Sequence, residues 1–209
     1  MPLRRSPSLS PRFDVRVVRT SADRQAVARL RYAVYVEEMG RQQEYADHEA
    51  RTILEPLDER SLLIGGFTSD GAAMGTLRVT PSVVEGIASR EIYGWAARES
   101  EFPGQVCLAS KLIVAREARG TMASVEMIRL ALHEALARNW RFSFLDANDH
   151  LVPLYMRLGF VARARREHPI YGSVTIMEWD MHDVDHARAV RSPFARDMLA
   201  QARPRGHAA

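Results

Sequence analysis

The sequence has a single cysteine, Cys107, no long apolar run and no internal repeat. One cysteine cannot form an intramolecular disulfide, which excludes a disulfide-stapled secreted scaffold and a cysteine-rich zinc site and favours a reducing, cytoplasmic setting. Because Cys107 lies within an apolar stretch, we expect it to pack in the core rather than to act as a nucleophile. No run approaches the roughly 18 apolar residues of a membrane span, and no fixed period indicates a repeat protein.

The composition is that of an ordinary globular protein, with 46% apolar, 26% charged and 8% aromatic residues. A chain of 209 residues predicts one domain. The net charge is only +3, and both signs are interspersed along the middle of the chain, whereas nucleic-acid-binding proteins cluster their basic residues on one face. We therefore expect no nucleic-acid partner. The basic excess fits either an arginine-rich surface or an acidic small ligand such as a phosphate-bearing cofactor.

Three regions are predicted along the chain. Residues 1–12 hold three prolines and no apolar segment, which predicts a flexible tail rather than a signal peptide. Residues 13–182 are predicted to form the domain, and residues 183–209 a surface helix at roughly 187–201 with a frayed tail. His182 and His186 have the spacing of two metal ligands on a helix, but no third ligand is evident, so we expect a solvated helix start and no metal.

Apolar periodicity predicts a mixed α/β (α+β) domain, in which a central sheet is flanked by helices. A strand–helix–strand–helix–strand series in the middle of the chain is typical of parallel neighbours, and an early hairpin around 69–71 makes the sheet mixed. Residues 41–57 are expected to be irregular, and residues 81–103 mostly helical. The predicted strands are 13–19, 61–67, 73–79, 105–114, 141–146, one beginning near 160, and 173–181; the predicted helices are 20–40, 121–139 and 149–158.

The most informative segment runs from Val106 to Phe160. A buried strand at 106–114 is followed by a short loop, Arg116–Ser124, and then by the long helix. The free backbone N–H groups at a helix N-terminus, together with the helix dipole, favour an anion. Arg116 and Arg119 add positive charge to this loop. The segment therefore predicts a phosphate or pyrophosphate site.

This segment resembles the acyl-donor part of the GCN5-related N-acetyltransferase (GNAT) superfamily. The similar stretches are Leu112–Gly120, the helix that follows, and the closing run Leu154–Phe160. The loop of that superfamily reads Arg/Gln-x-x-Gly-x-Gly/Ala, and here it reads Arg119-Gly-Thr-Met-Ala-Ser124. The resemblance implies the GNAT fold and an acyl thioester as co-substrate. Glycine lets a backbone approach a diphosphate closely, and Met122 replaces one glycine. The phosphopantetheine of a carrier protein has one phosphate and therefore needs a less close approach of the loop backbone than the diphosphate of coenzyme A.

The N-terminal half resembles a narrower branch, the long-chain N-acyl amino acid synthases and the acyl-homoserine-lactone synthases, both of which use an acyl carrier protein. The resemblance rests on Leu30–Glu38, Glu55–Asp58, Gly75–Arg78 and Ser110–Lys111. Lactone synthases usually carry an acidic residue where Leu108 stands and an arginine where Lys111 stands. Both departures favour N-acyl amino acid synthesis.

The resemblance also implies roles for individual residues. Tyr155 matches the general acid, and its reference pKa near 10 suits protonation of a thiolate; the alternative is a ring that only packs in a short helix. The general base is not identified, and Glu37, Glu91 and a water relay are all open. The expected donor-binding residues are Ile113, Val114, Arg116, Arg119, Gly120, Thr121, Met122, Ala123, Ser124 and Asn148. The resemblance implies that the backbone of Ile113 and Val114 pairs with the pantetheine amides as an added strand would.

The expected acceptor-binding residues combine acids and bases that can clamp the ammonium and carboxylate of an amino acid. The alternative is a purely structural ion-pair network. These residues are Arg31, Tyr35, Glu55, Asp58, Arg78, Ser110 and Lys111.

We therefore expect a bacterial, cytoplasmic N-acyltransferase. It would move an acyl group from an acyl-carrier-protein or acyl-CoA thioester to the amino group of an amino acid or similar small amine. The expected acyl group is a fatty one. The reaction would be direct attack in a ternary complex. The expected partner is an acyl carrier protein, with the enzyme a monomer or homodimer. The alternatives are an acyl-homoserine-lactone synthase, which consumes S-adenosylmethionine, and a non-catalytic acyl-ligand-binding protein with the GNAT fold.

Overall fold

The first helix and the strands beside it follow the sequence closely. The structure is a computed structural model that describes residues 13–88 and 90–202, so the predicted tail over 1–12 lies outside the described residues. Strand β1 (Asp14–Val17) precedes helix α1 (Ser21–Tyr32), whose N-cap, Thr20, accepts a hydrogen bond from the amide of Asp23 at 3.1 Å. A π-helical turn, Ala33–Glu38, continues α1, which confirms the predicted helix and changes its pitch at the end.

The segment predicted to be irregular holds a small separate sheet and a 3₁₀ turn. Strand β2 (Ala46–Asp47) pairs with β3 (Thr52–Ile53), and Pro56–Arg60 forms the turn. The predicted hairpin follows as β4 (Leu62–Phe67) and β5 (Ala73–Pro81).

The stretch predicted to be mostly helical contains two short helical pieces, a 3₁₀ turn at Arg90–Tyr93 and helix α2 (Ala96–Glu101). The rest of the chain alternates strands and helices as expected up to α4. The elements are β6 (Val106–Val114), α3 (Ala123–Ala137), β7 (Phe142–Ala147), α4 (Val152–Leu158), β8 (Val161–His168), β9 (Gly172–Asp180), α5 (Val184–Ala189) and α6 (Ala195–Ala202).

The main sheet has seven strands in the order β1-β4-β5-β6-β7-β9-β8. The predicted mixed sheet is confirmed, but β6 and β7 are the one parallel pair among the described strands. The expectation that β8 would lie parallel beside β7 is wrong, because β9 lies between them. Strand β9 is buried over most of its length, whereas β8 is largely exposed and arginine-rich. The apolar strand takes the inner position and the charged strand takes the edge.

Helices cover both faces of the sheet. On one face α3 packs against a large apolar layer that includes Leu77, Cys107 and Leu145. Cys107 is completely buried, and burial raises the pKa of its thiol to about 12, as expected for a core position. The other face, which carries α1, has a second layer around Leu108 and Phe144.

The C-terminal segment belongs to the core. Two helices, α5 and α6, stand where a single surface helix was predicted at roughly 187–201. Phe194, between the two helices, and Met198, in α6, are at most 1% exposed. The ring of Phe194 lies 5.6 Å from that of Trp179. Asp183 caps α5 by accepting from the amide of His186, which agrees with the predicted helix start. No helix of the described chain is long and apolar enough to cross a membrane.

Candidate active site

The central feature of the site is a gap between two strands. Strands β6 and β7 pair from Val106 with Phe142 to Leu108 with Phe144 and then diverge, although both strands continue. A cavity of about 550 Å³ opens at this gap, within the size range of ligand pockets. Residues of both apolar layers line it, so the cavity reaches both faces of the sheet.

A β-bulge in β6 shapes one wall of the cavity. Its register against β5 shifts between Ser110 and Ile113, and Lys111 has a φ of 56°, which is uncommon for a residue other than glycine. Simple alternation would place Ile113 on the α3 face. Instead Ile113 packs against α1, and Leu112 and Val114 pack towards α3. The bulge thereby lets Ser110 and Lys111, adjacent in sequence, reach the same polar cluster.

This polar cluster, called the acceptor cluster after the role predicted for its residues, brings five of the predicted substrate residues together. Glu55 accepts from Arg78 at 2.5 Å and from Lys111 at 2.6 Å. Asp58 pairs with Arg31 at 2.6 Å and with Arg78 at 3.2 Å. Three cations and two carboxylates therefore give the cluster a formal net charge of one positive.

The charges in this cluster stabilise one another. Burial alone would raise the pKa of each carboxyl group, but the neighbouring cations lower the pKa values of Glu55 and Asp58 below their ordinary values. Burial lowers the pKa of Lys111, and Glu55 opposes that shift. The remaining two predicted residues also contact the cluster, since Arg78 Nε donates to Ser110 Oγ at 3.2 Å and Lys111 lies 5.1 Å from the ring of Tyr35.

Some residues of the cluster are buried away from the cavity, and others line it. Arg31 is fully buried and does not line the cavity, and among described residues no acceptor meets its Nε and Nη2. Tyr35, Glu55, Arg78 and Lys111 line the cavity. Arg31 is therefore placed to orient Asp58 rather than to contact a ligand.

Tyr155, on α4, lies where the cavity meets the α3 face. Its ring packs edge-on against Phe160 at 5.6 Å. Burial and then the charge of Asp146 raise the pKa of Tyr155 to about 12. The hydroxyl therefore carries its proton at neutral pH, as a general acid must before the reaction.

The predicted donor loop is tied to the end of the first helix. The guanidinium of Arg119 donates to both carboxylate oxygens of Glu38, at 2.6 and 2.8 Å, and to the carbonyl of Val114 at 3.1 Å. Arg116 is more distant, 3.8 Å from Glu38. Arg119 thus fixes the loop in addition to carrying charge.

The start of α3 presents free amides. Its N-cap, Met122, makes no side-chain cap, and the hydroxyl of Thr121 donates to the carbonyl of Ala118 at 2.6 Å. In the part of the chain that the structure describes, no acceptor meets the amides of Ser124 and Val125. Gly120, at a φ of 77°, forms the turn before them, and Ala123 is the first helical residue. Asn148 lines the cavity at the end of β7.

Neither predicted candidate for the general base lies in the cavity. Glu37 is on the outer side of the π-helical turn, where Arg51 Nε donates to it at 2.8 Å. Glu91 is exposed on its 3₁₀ turn. Both side chains lie on solvent-facing sides of short helical turns, so their position does not support a role as general base. Leu108 is 4% exposed within an apolar layer and brings no carboxylate to the site.

An apolar chamber on the α3 face was not predicted from the sequence. Four residues on the sheet-facing side of α3 line the cavity, namely Ile128, Ala131, Leu132 and Ala135. The opposite wall consists of large apolar side chains from the sheet, among them Leu77, Val79, Leu145, Trp179 and Met181. The periodic pattern indicated only that this side of α3 is buried. The signal that could have revealed the chamber is the pair of alanines, Ala131 and Ala135, facing large residues.

No metal-binding group is found among residues 13–88 and 90–202, since no three His, Cys, Asp or Glu side chains there are placed to hold an ion.

Comparison with known proteins gives one family and a consistent fold. Residues 26–177 match the family described as N-acyl amino acid synthase FeeM. No curated protein sequence matches the chain significantly.

The structure of FeeM, an N-acyl amino acid synthase from uncultured soil microbes, superposes with a TM-score of 0.68 at 17% identity, covering 91% of this chain and 99% of that one. BjaI, a CoA-dependent acyl-homoserine lactone synthase, gives a TM-score of 0.64 at 15% identity, covering 87% and 90%. ElaA from Escherichia coli gives 0.56 at 16% identity, covering 81% and 100%. At these identities the neighbours show the fold alone, and the expected GNAT-like fold is confirmed.

Proposed function

The chain belongs to the N-acyl amino acid synthase FeeM family and is an acyltransferase, and from this premise we propose that it joins a fatty acyl group to the amino group of an amino acid or similar small amine. One observation carries the proposal. A single cavity connects an apolar chamber on one face of the sheet with a positively charged polar cluster on the other, through the gap between β6 and β7.

The apolar chamber supports a fatty acyl group. It lies beneath α3, and Ala131 and Ala135 leave space between the helix and large side chains of the sheet. An alkyl chain gains about 0.8 kcal/mol for each CH₂ that it removes from water. A short polar acyl group would leave this chamber unfilled.

The acceptor cluster supports a substrate that carries a carboxylate. Its net positive charge is buried, and Arg78 and Lys111 bring that charge to the cavity wall. A bound carboxylate would balance the charge and accept hydrogen bonds from one or both cations. An amino acid brings that carboxylate together with the nucleophilic nitrogen.

The free edge of β6 and the start of α3 support a phosphopantetheine donor. Beyond Leu108 no strand of the described chain pairs with the side of β6 that faces β7, so an extended pantetheine can add to this edge as a strand would. The free amides of Ser124 and Val125 suit one phosphate at the helix N-terminus. The exposed side chain of Met122 occupies the same turn. We therefore propose acyl carrier protein as the preferred donor and coenzyme A as the alternative.

Amide formation from a thioester then requires a neutral amine, a positioned carbonyl carbon and a proton for the leaving thiolate. Tyr155 holds that proton beside the gap. As the C–S bond breaks, the phenol hydroxyl donates its proton to sulfur. No covalent acyl-enzyme is needed, because both substrates reach the gap from different sides.

Mass spectrometry of lipid extracts from cells that overproduce the protein tests this proposal. We expect a new N-acyl amino acid that is strongly reduced in cells producing the Tyr155→Phe variant and absent from cells with empty vector. A new acyl-homoserine lactone, formed at the expense of S-adenosylmethionine, would contradict the proposed acceptor. Purified protein that binds an acyl thioester but acylates neither the twenty amino acids nor a panel of other small primary amines would contradict the proposed reaction.

A further inference from the structure

A carboxylate that does not belong to the acceptor cluster also lines the cavity. Asp146 stands near the end of β7, half-buried, and lines the cavity. The hydroxyl of Tyr93, itself buried, donates to Asp146 Oδ1 at 2.8 Å. Across the described ranges no protein group donates to Oδ2. One oxygen is thus held in place, and the other can accept a proton from a ligand.

The strand register places Asp146 opposite the acceptor cluster. The last parallel pair is Leu108 with Phe144, so continuing the same register would bring Ser110 opposite Asp146. The strands have diverged at this level, so the two residues are separated by the gap and are not joined by backbone hydrogen bonds. A substrate held at Ser110 and Lys111 therefore has Asp146 on the far side of the gap.

Asp146 is also electrostatically close to the proton donor. Burial is the main cause of the raised pKa values of Tyr93, Tyr155 and Tyr171, and the charge of Asp146 is the second cause for each of them. These tyrosines approach from three different segments, and Arg78 is the cation that also acts on Tyr93 and Tyr171. The carboxylate thus lies near Tyr155, the residue proposed to protonate the leaving thiolate.

The other carboxylates of the described chain are less suitable. Only two further acidic side chains line the cavity there, Glu44 and Glu55. Glu55 is paired on both oxygens with Arg78 and Lys111, and Glu44 is exposed at the mouth. The imidazole of His168, which also lines the cavity, accepts from two backbone amides through Nδ1.

Resting on the proposed function, we propose that Asp146 is the general base that takes a proton from the ammonium group of the acceptor. The neutral amine then attacks the thioester carbonyl carbon and forms the C–N bond. Collapse of the tetrahedral intermediate breaks the C–S bond, and the thiolate takes the proton of Tyr155. The second nitrogen proton restores the phenol, and Asp146 releases its proton to solvent. The balance is one amide, one thiol and one proton from one thioester and one ammonium.

The test compares two acceptors in Asp146→Asn, which keeps the shape of the side chain and an acceptor for Tyr93. The first acceptor is the amino acid, whose nitrogen is protonated at neutral pH. The second is its aminooxy analogue, which keeps the carboxylate but carries an unprotonated nitrogen. We expect kcat for the amino acid to fall at least 100-fold, in the range of general-base effects, with KM little changed. For the aminooxy acid we expect a loss below fivefold.

The pH profile gives a second readout. The deficit of Asp146→Asn with the amino acid should narrow as pH rises through the pKa of the substrate amine, because deprotonated substrate needs no base. The pH at which half of the deficit is lost should move when an acceptor with a different amine pKa is used. If Tyr93, Tyr171, His150 or His168 caused the pH dependence instead, that pH would be the same for every acceptor. The matched control is Asp149→Asn, an exposed carboxylate paired with Arg165 that does not line the cavity; its rates should equal those of the wild type.

An equal loss with both acceptors would show that Asp146 serves only the structure, and an unchanged rate would also overturn the assignment. If Asp146→Asn does not fold, Tyr93→Phe replaces it, with a severalfold loss expected for the amino acid alone; equal loss for both acceptors again contradicts the proposal. Wild-type protein that acylates neither acceptor contradicts the proposed function itself, an outcome distinct from any behaviour of the variants.

Discussion

Substitution of Ala135 tests whether the apolar chamber determines the length of the acyl chain that the enzyme accepts. The chamber follows α3 away from the proposed donor site, and from Ser124 to Ala135 the helix rises about 16 Å. Ala135→Leu adds three carbon atoms towards the chamber and so displaces about three methylenes of a long acyl chain. At about 0.8 kcal/mol for each methylene, the loss is about 2.4 kcal/mol, or about 60-fold in kcat/KM.

The assay is kcat/KM over a series of donors whose acyl chains increase by two carbons. We expect the 60-fold loss for chains that reach Ala135, no loss for shorter chains, and an optimum shifted to shorter acyl groups. Ala137→Leu makes the same change on the exposed side of the same helix and should leave the profile unchanged. An Ala135→Leu profile that matches the wild type would refute the placement of the acyl chain beneath α3.

Three further predictions concern the other parts of the site. Tyr155→Phe should lower kcat about 100-fold or more with a smaller change in KM; retained turnover would remove the acid role. Asp58→Asn leaves the buried Arg31 without its ion pair and should lower the free energy of unfolding by about 3–5 kcal/mol in chemical denaturation. Because the pKa of Asp58 is lowered by folding, its contribution is present at neutral pH and is lost on acidification below about pH 4; a pH-independent difference would contradict this. Arg119→Ala, which frees Glu38 and loosens the donor loop, should weaken donor binding by about fivefold in calorimetry, the scale of an exposed ion pair; unchanged affinity would count against the loop.

Local patterns in the sequence predicted most individual elements. The hairpin of β4 and β5, the capped α1 and the long α3 all follow from apolar periodicity and end signals. The positions of β8 and β9 in the sheet could not be predicted in this way, because periodicity reports which side of a strand is buried and not which strand lies beside it. The buried Phe194 and Met198 were missed for a similar reason, since two short helices in a polar segment carry little periodic signal.

The candidate site was predictable in part. The residues of the acceptor cluster were found through a resemblance, and the structure brings them together. The bulge at Lys111 could not be predicted, because no residue there favours a positive φ. Asp146 could not be recognised either, since its proximity to Tyr93, 53 residues earlier in the chain, depends on tertiary packing.

The apolar chamber has a consequence for the protein between reactions. It occupies the layer between α3 and the sheet, where proteins of this size ordinarily keep tightly interlocked side chains. Under the proposed function, an acyl chain bound in the chamber would complete the protein interior, and product release would remove it again. The enzyme without a bound donor would then be the least tightly packed species of the cycle, and the supply of acyl donor would influence its rigidity as well as its rate.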